Sequence, residues 1–289
     1  MDEIILAVQR MQDFIEQNMY KEITLLDLSK VSLFSPWYSY RIFKNQTGLT
    51  ISDYIRKLRL SKSALKLRDN KTKIIDIAFE MGFKSVDGYQ RAFQKEFNCN
   101  PYEFYKNPMP IYLFKPYGVK FRNMEVKRNM EKVKNVFIHV VEKPRRKLII
   151  KREVKATDYF EYCEEVGCDV WGLLTSIKSI SGEPVCLWLP KKYVKENTSI
   201  DVQGVEVNSN YDGVVPGGFE IIELPKAKYL MFQGEPFEEE NYCTAINEIQ
   251  EAIKKYDPSV IGYEWDRENP RIQLEPIGER GYIELHPIK

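Results

Sequence analysis

The sequence predicts a two-domain protein in which an all-α N-terminal domain precedes an α+β C-terminal domain. Three observations support this prediction. A short pattern repeats within the first hundred residues, the net charge changes sign near residue 135, and apolar runs of strand length begin at Val136. We place the domains at residues 1–107 and 136–289, with a basic linker at residues 108–135.

The composition is that of a globular chain, long enough at 289 residues to bury a core in each domain. No window of about 18 apolar residues is present, and no apolar signal-peptide core follows Met1. We therefore expect a cytoplasmic protein without a membrane span. Its five cysteines are odd in number and form no CxxC pair, and it has only two histidines. We predict no disulfide framework, no metal site and no cofactor.

The net charge of +1 conceals a division between the two halves of the chain. The first 135 residues contain 24 lysines and arginines against 15 acidic residues, whereas the remainder contains 19 against 27. A basic half joined to an acidic half indicates that the first half meets a polyanion and the second does not.

The basic half contains two copies of one unit. The stretch Leu25–Ser29 recurs 49 residues later as Ile74–Ala78, and one extra residue then moves the offset to 50, which pairs Arg41 with Arg91. Each copy has a short amphipathic helix, a tight turn and a second helix. We predict helix-turn-helix motifs at about residues 25–46 and 74–97. Apolar spacing between them predicts a long connecting helix over residues 51–68.

The ends of the second helix are marked in both copies. Ser35 and Ser85 precede it and can cap it, and Pro36 suits a first helical position because its missing N–H is not needed there. Gly48 and Asn98 follow it and tolerate a left-handed C-cap.

The second helix of each unit has an outer face suited to nucleic acid. Arginine can bond guanine bidentately or contact phosphate, and tyrosine or tryptophan can contact thymine methyl groups. A merely solvated polar face is the alternative, and it is weakest for Arg41 and Arg91, which occupy equivalent positions. The predicted DNA-contacting residues are Ser35, Trp37, Tyr40, Arg41 and Lys44 in the first unit, and Lys84, Ser85, Gln90, Arg91 and Lys95 in the second. Two such helices in one chain predict that it binds double-stranded DNA as a monomer.

The region from Ile4 to Tyr105 resembles the AraC/XylS family of regulators. The most specific stretches are Gly82–Ser85, Tyr89–Phe97 and Pro101–Phe104. The resemblance implies a DNA-binding domain of two helix-turn-helix subdomains joined by a long helix, and a transcriptional regulator with RNA polymerase as a partner. Gly88 and Asn98 depart from the family pattern, and both departures lie in the second unit.

The acidic half alternates strands with helices. Two helical segments are predicted, at residues 158–177 and 238–255. Strands are predicted at Val136–Val141, Lys147–Ile150, Val185–Leu189, Val202–Val207, Phe219–Leu224, Tyr229–Phe232, Arg271–Leu274 and Tyr282–Leu285.

A fainter duplication runs through this half. Pro144 followed by Lys147–Ile150 parallels Pro225 followed by Lys228–Met231, at an offset of 81, and each run leads into a helix and two strands. We predict duplicated strand-helix-strand-strand units around a central groove, where ligand pockets commonly form.

Residues 136–288 resemble GyrI-like effector-binding domains, mainly at Phe219–Pro225 and Tyr282–Ile288, and the whole chain has a Rob-like arrangement. The resemblance implies a ligand in an aromatic cavity with a glutamate from the final strand, which is Glu284 here. Aromatic faces with a carboxylate suit a flat, apolar, cationic small molecule. The candidate effector-binding residues are Trp171, Trp188, Tyr263, Trp265 and Glu284.

Other interpretations of the acidic half remain open. The aromatic residues are also typical of an ordinary core, and Glu284 either faces solvent or is satisfied by a ligand or a basic side chain. The domain could dock proteins without a ligand. It could also act as a hydrolase through Glu284 and Tyr263, but the chain has no nucleophile–base pair, phosphate loop or metal cluster. We therefore predict no catalytic residues and no enzymatic activity.

Overall fold

The structure is a computed structural model that describes residues 3–70, 72–116, 119, 135–156, 159–167, 169–238 and 241–289. The chain divides between residues 124 and 125 into two compact units, called here the helical unit and the sheet unit. Within the ranges just given, no helix is long and apolar enough to cross a membrane. A helical region followed by an antiparallel sheet confirms the predicted order of the two fold classes.

The described part of the helical unit contains seven α-helices. They are α1 (Glu3–Asn18), α2 (Leu25–Ser32), α3 (Pro36–Thr47), α4 (Ile51–Asp69), α5 (Ile74–Glu80), α6 (Val86–Phe97) and α7 (Pro101–Lys106). The pairs α2–α3 and α5–α6 lie where the sequence predicts the two helix-turn-helix motifs, and α4 lies between the pairs.

The ends of several of these helices follow from local chemistry. Gly48 and Asn98 both adopt the left-handed conformation at the C-caps of α3 and α6, as the sequence predicts. Ser85 caps α6 by accepting a hydrogen bond from the Gly88 N–H. Ser35 holds the N-cap position of α3, but its hydroxyl makes no capping bond. Pro36 fixes the backbone of the first turn there instead.

Aromatic rings connect α3 to the segment that follows α7. The Tyr54 ring of α4 lies edge-on to Phe43 of α3 at 5.1 Å and to Phe114 at 5.0 Å. The Phe114 N–H donates to the Ser61 hydroxyl at 2.7 Å, and Ile111 and Leu113 are buried in the same core.

This packing corrects the expectation of a solvated linker from residue 108 onwards. Apolar side chains at positions 111 and 113 fit against the helices, so that this stretch is part of the helical unit. Of the remainder of the expected linker, residues 117, 118 and 120–134 lie outside the described residues.

The sheet unit contains eight antiparallel strands in its described part, one on each apolar run predicted from the sequence. Their order across the sheet is β1-β6-β8-β7-β3-β4-β2-β5. The strands are β1 (Val136–Lys143), β2 (Arg146–Arg152), β3 (Val185–Trp188), β4 (Asp201–Asn208), β5 (Glu220–Leu224), β6 (Ala227–Gly234), β7 (Arg271–Gln273) and β8 (Ile283–Ile288).

The described part of the sheet unit contains three α-helices: α8 (Tyr159–Val166), α9 (Asp169–Ser176) and α10 (Tyr242–Lys255). The single helix predicted over residues 158–177 is wrong, because α8 ends before Gly167. Gly167 has φ of 107°, a left-handed conformation that does not continue an α-helix.

The strand order places two similar halves side by side. One half runs β2-α8-α9-β3-β4 and the other β6-α10-β7-β8, and they meet where β3 pairs with β7. Each edge strand crosses to the other half: β1 precedes β2 but pairs with β6, whereas β5 precedes β6 but pairs with β2. This exchange ties the halves together.

The two faces of the sheet have different cores. On one face, Val205 packs with Leu174 of α9, and Phe232 packs with Ile249 of α10. We call this the helix-covered face. The opposite face carries a separate apolar cluster that includes Leu148 and Leu187.

A buried ion network stands within the cluster on the opposite face. Arg146 and Glu206 are both fully buried and paired with each other, and Lys143 also pairs with Glu206. Arg146 further donates to the carbonyl oxygens of Pro144 and Pro225 at 3.2 and 3.4 Å. Because these prolines occupy equivalent positions of the duplication, one guanidinium binds the same backbone position in each half.

Candidate DNA-binding surface and effector site

The outer face of α3 carries the residues predicted to contact DNA. Ile42 and Phe43 point into the core, whereas Arg41 and Lys44 are exposed and the Trp37 side chain is 79% exposed. Tyr40 is half-buried, with its ring 6.5 Å from that of Trp37, and Ser35 is exposed at the start of the helix. The helix thus offers a large indole and two cations on one side.

Arg41 is held in place by a residue that the sequence analysis did not single out. Its guanidinium carbon lies 5.1 Å from the centre of the Tyr38 ring. A cation over an aromatic face is weakly attracted and loses part of its rotational freedom. The signal was available in the sequence, because residues three positions apart on a helix are neighbours.

The outer face of α6 carries the predicted contact residues of the second unit. Lys84, Ser85, Arg91 and Lys95 are exposed, and Gln90 is half-buried. The Arg91 Nε donates to the backbone carbonyl of Asp87 at 3.3 Å, which aims its side chain back along its own helix.

Gly88 departs from the family pattern for a steric reason. A Cβ at this position would lie 3.0 Å from the Ser85 Oγ, which caps the helix through the Gly88 N–H. Glycine therefore leaves room for the serine cap at the start of α6. The cap offsets part of the helix propensity that glycine costs.

The predicted contact cations are available for phosphate. Arg41, Lys44, Lys84, Arg91 and Lys95 form no ion pair with another residue of the described ranges. Five other basic residues of the helical unit do form ion pairs, among them Lys57 of α4 with Glu96 of α6. Unpaired exposed cations on the outer faces of both helices suit a polyanion.

In the sheet unit, Glu284 is buried on the helix-covered face. Its carboxylate accepts a hydrogen bond from the Tyr282 hydroxyl at 2.7 Å and lies 3.0 Å from the His286 Nε2. Of the alternatives that the sequence left open for Glu284, the structure shows satisfaction by neighbouring protein groups. Burial by itself would raise the pKa of Glu284, but the bonds from His286 and Tyr282 and the charge of Arg271 lower it below the ordinary glutamate value.

The central strands carry a row of polar and aromatic side chains on the same face. Residues directly opposite each other in a ladder share a face, as do alternate residues of one strand. Cys186 lies opposite both Gln203 and Gln273, Gln273 lies opposite Glu284, and Trp188 lies opposite Arg271. We call this row the central strip; it comprises Gln203, Cys186, Trp188, Gln273, Arg271 and Glu284.

The four predicted aromatic residues occupy different parts of the sheet unit. Trp188 stacks under Arg271, with the guanidinium carbon 4.1 Å from the ring centre. The Trp265 ring lies 5.7 Å from His286, and so next to the partners of Glu284. Tyr263 accepts a hydrogen bond from Lys228 at 3.3 Å, and Trp171 is buried on α9.

The structure thus brings Trp188, Trp265 and Glu284 to the helix-covered face around the central strands. It also adds two residues, Arg271 and Gln203, that the sequence analysis missed. Polar residues in a strand ordinarily indicate a solvent-facing position, so their burial could not be inferred from the alternation alone.

Comparison with known proteins bears on the helical unit. A family model described as a helix-turn-helix domain matches residues 28–107. The Transposon Tn10 TetD protein of Escherichia coli is 34% identical over 96 residues, which are 33% of this chain and 70% of that one. Regulatory protein SoxS of Salmonella typhimurium is 31% identical over 97 residues, 34% of this chain and 91% of that one. The Right origin-binding protein of Escherichia coli is 36% identical over 95 residues, which are 33% of this chain and 33% of that one.

Proposed function

The chain belongs to the AraC/XylS-type family of transcriptional regulators and is a sequence-specific DNA-binding protein, and from this premise we propose that its sheet unit binds a small-molecule effector. The effector sets the affinity of the helical unit for its operator or for RNA polymerase. The resemblance of residues 136–288 to GyrI-like domains supports this assignment.

We propose that the protein binds DNA as a monomer, through the outer faces of α3 and α6. The support is the exposure of Trp37, Arg41 and Lys44 on α3 and of Arg91 and Lys95 on α6. Helices that enter two major-groove segments from one chain need no partner subunit.

The observation that carries the effector proposal is the central strip. Proteins bury polar side chains at a cost, and a row of them between helix-packed clusters is expensive unless it has a use. Trp188 and Arg271 are half-buried rather than fully covered, so a planar molecule can lie against them. Pockets with aromatic walls and a few placed polar groups are typical of small-molecule sites.

Tryptophan fluorescence tests this proposal directly. Trp37 is the only one of the four tryptophans outside the sheet unit, so that a Trp37→Phe variant reports from the sheet unit alone. A panel of planar aromatic compounds is screened for a rise in thermal stability, and each compound found is titrated against this fluorescence. Binding to operator DNA is then measured with and without the compound, using the wild-type chain.

We expect at least one compound to quench the sheet-unit fluorescence and to change DNA affinity. If no planar compound stabilises the protein or changes its fluorescence, the effector proposal fails. A sheet unit that only docks other proteins would then be the better interpretation.

A further inference from the structure

Two buried hydrogen-bond donors of the central strip lack partners. Gln203 Nε2 and Arg271 Nε make no hydrogen bond to any residue that the structure describes, and the Gln203 side chain is only 1% exposed. A buried donor without an acceptor costs about 1–3 kcal/mol. Such groups are uncommon in folded proteins and call for an explanation, which a bound molecule can supply.

The two donors lie on the same face, on either side of β3. Gln203 is on β4 and Arg271 on β7, and both of these strands pair with β3. Strands are about 4.8 Å apart, so the two Cα atoms are separated by about 10–12 Å when the offset along the strands is included. The Trp188 ring and the Cys186 side chain occupy the surface between them. A two- to three-ring compound with a polar group at each end has this length.

The carboxylate that the sequence analysis assigned to ligand binding already has partners within the protein. Glu284 has the Tyr282 hydroxyl and His286 as partners, and the guanidinium of Arg271 is near enough to attract it. Both oxygens of its carboxylate therefore already have hydrogen-bond partners. The groups of the strip that still lack a partner are donors, not acceptors.

Hydrogen-bond donors without a partner favour a ligand that carries hydrogen-bond acceptors. Guanidinium groups recognise carboxylates through a planar fork, and an amide N–H₂ recognises a carbonyl, ether or hydroxyl oxygen. The Arg271 guanidinium also lies over the Trp188 ring, which places its donors beside an aromatic surface. We propose that the effector is a planar aromatic anion, with a carboxylate on Arg271, its rings over Trp188 and Cys186, and an oxygen acceptor at the far end on Gln203. This inference rests on the proposed effector function and replaces the cation that the family resemblance implies.

Three naphthalene compounds of matched shape test the charge preference by isothermal titration calorimetry of the full chain. They are 6-methoxy-2-naphthoate, its cationic counterpart 6-methoxy-2-naphthylmethylammonium, and 2-naphthoate, which lacks the methoxy acceptor. We expect the methoxynaphthoate to bind about tenfold or more tightly than the cation, as charge-assisted hydrogen bonds require. We expect it to bind a few-fold more tightly than 2-naphthoate.

Two variants assign these preferences to residues. Arg271→Gln should remove the preference for carboxylate over ammonium, and Gln203→Met should remove only the gain from the methoxy group. Arg267→Gln is the matched control, since Arg267 is an exposed arginine four positions away and should leave both preferences intact. Thermal unfolding of each variant without ligand checks that it is folded.

The outcomes separate the two proposals. Equal or tighter binding of the cation overturns the anion inference but leaves the effector function standing. Carboxylate preference that survives Arg271→Gln in a folded variant also overturns it. Failure of all three compounds, together with failure of the wider aromatic panel, overturns both.

Discussion

Single side chains differ in how far they are prepared for binding. Arg41 and Arg91 occupy equivalent positions on α3 and α6, yet Arg41 stacks on Tyr38 whereas Arg91 donates to the Asp87 carbonyl of its own helix. Ordering a long side chain at an interface costs about 0.5–1.5 kcal/mol, and stacking removes part of that cost in advance. Arg41 is therefore expected to contribute more to operator recognition than Arg91.

Replacing Arg41 by alanine should weaken operator binding by about 1–3 kcal/mol, the range for a bidentate contact to a base. Lys44→Ala is the matched control on the same face, and we expect it to weaken all DNA sequences alike. Fluorescence anisotropy with an operator duplex and a scrambled duplex measures both effects. Equal losses on the two duplexes for Arg41→Ala would assign Arg41 to phosphate instead.

The Arg146–Glu206 pair is the most buried ionic contact among the described residues. Burial by itself would raise the pKa of Glu206, but the adjacent Lys143 and Arg146 hold it below the ordinary glutamate value. Burial also raises the pKa of Tyr229, whose hydroxyl accepts from Arg146, to about 12. Because the pKa of Glu206 is lower in the folded than in the unfolded chain, its ionisation stabilises the fold above the unfolded value of about 4.3. That contribution is lost as the pH falls through the folded pKa.

Glu206→Gln should reduce the free energy of unfolding at neutral pH by about 3–5 kcal/mol, the usual cost of leaving a buried partner charge alone. It should also make the loss of stability in acid shallower, because one carboxylate with a lowered pKa is gone. Glu223→Gln is the control: Glu223 pairs with Arg145, and its side chain is 55% exposed. Only a small loss is expected there, because water screens an exposed ion pair. Urea unfolding at pH 7 and pH 4 measures both variants, and equal losses for the two would contradict this account.

Among the structural elements, the α2–α3 and α5–α6 turns each need one residue in the left-handed conformation, and they use different residue types there. The turn between α5 and α6 has Gly82 at φ of 73°, whereas the turn between α2 and α3 has Leu33 at φ of 65°. Leucine in the left-handed region is strained by about 1–2 kcal/mol. Its side chain is 74% exposed, so little packing offsets that strain.

Leu33→Gly should therefore raise the free energy of unfolding of the full chain by up to about 1 kcal/mol, after the entropy that glycine adds to the unfolded state is subtracted. Leu33→Ala separates the causes, since alanine removes the exposed side chain but keeps the strain, and it should leave stability nearly unchanged. Thermal unfolding monitored by circular dichroism measures both. A drop in stability for the glycine variant would show that Leu33 makes a contact that outweighs its strain.

The elements themselves were largely predictable, and their pairings were not. Period-2 and period-3.6 patterns locate α2 to α6 and all eight strands, because each element buries one face. The break at Gly167 was missed, since one glycine is often tolerated inside a helix. The crossing of β1 to β6 and of β5 to β2 depends on contacts between residues about 70 to 100 positions apart, which no local pattern contains.

At the scale of the whole molecule, the division of charge matches the division of fold. The helical unit has cations on α3 and α6 that form no ion pair with any described residue, and the sheet unit contains buried carboxylates with protein partners, such as Glu206 with Arg146 and Glu284 with His286. The outer face of α3 was predictable because exposure on a helix follows from its period. The central strip was only partly predictable: resemblance gave Glu284, whereas Arg271 and Gln203 are buried by elements that lie far away in sequence.

The docking of Phe114 against Tyr54 determines where this protein can be cut and recombined. A chimera joined after residue 107 would lose Ile111 and Leu113, each worth about 1.5–3 kcal/mol of burial, and would leave the Ser61 hydroxyl without the Phe114 amide. It would also expose the Tyr54 ring, which packs against Phe43 of α3. A segment that transfers this DNA-binding unit to another domain should therefore extend at least to residue 119, whose backbone N–H donates to the Gln12 side chain of α1.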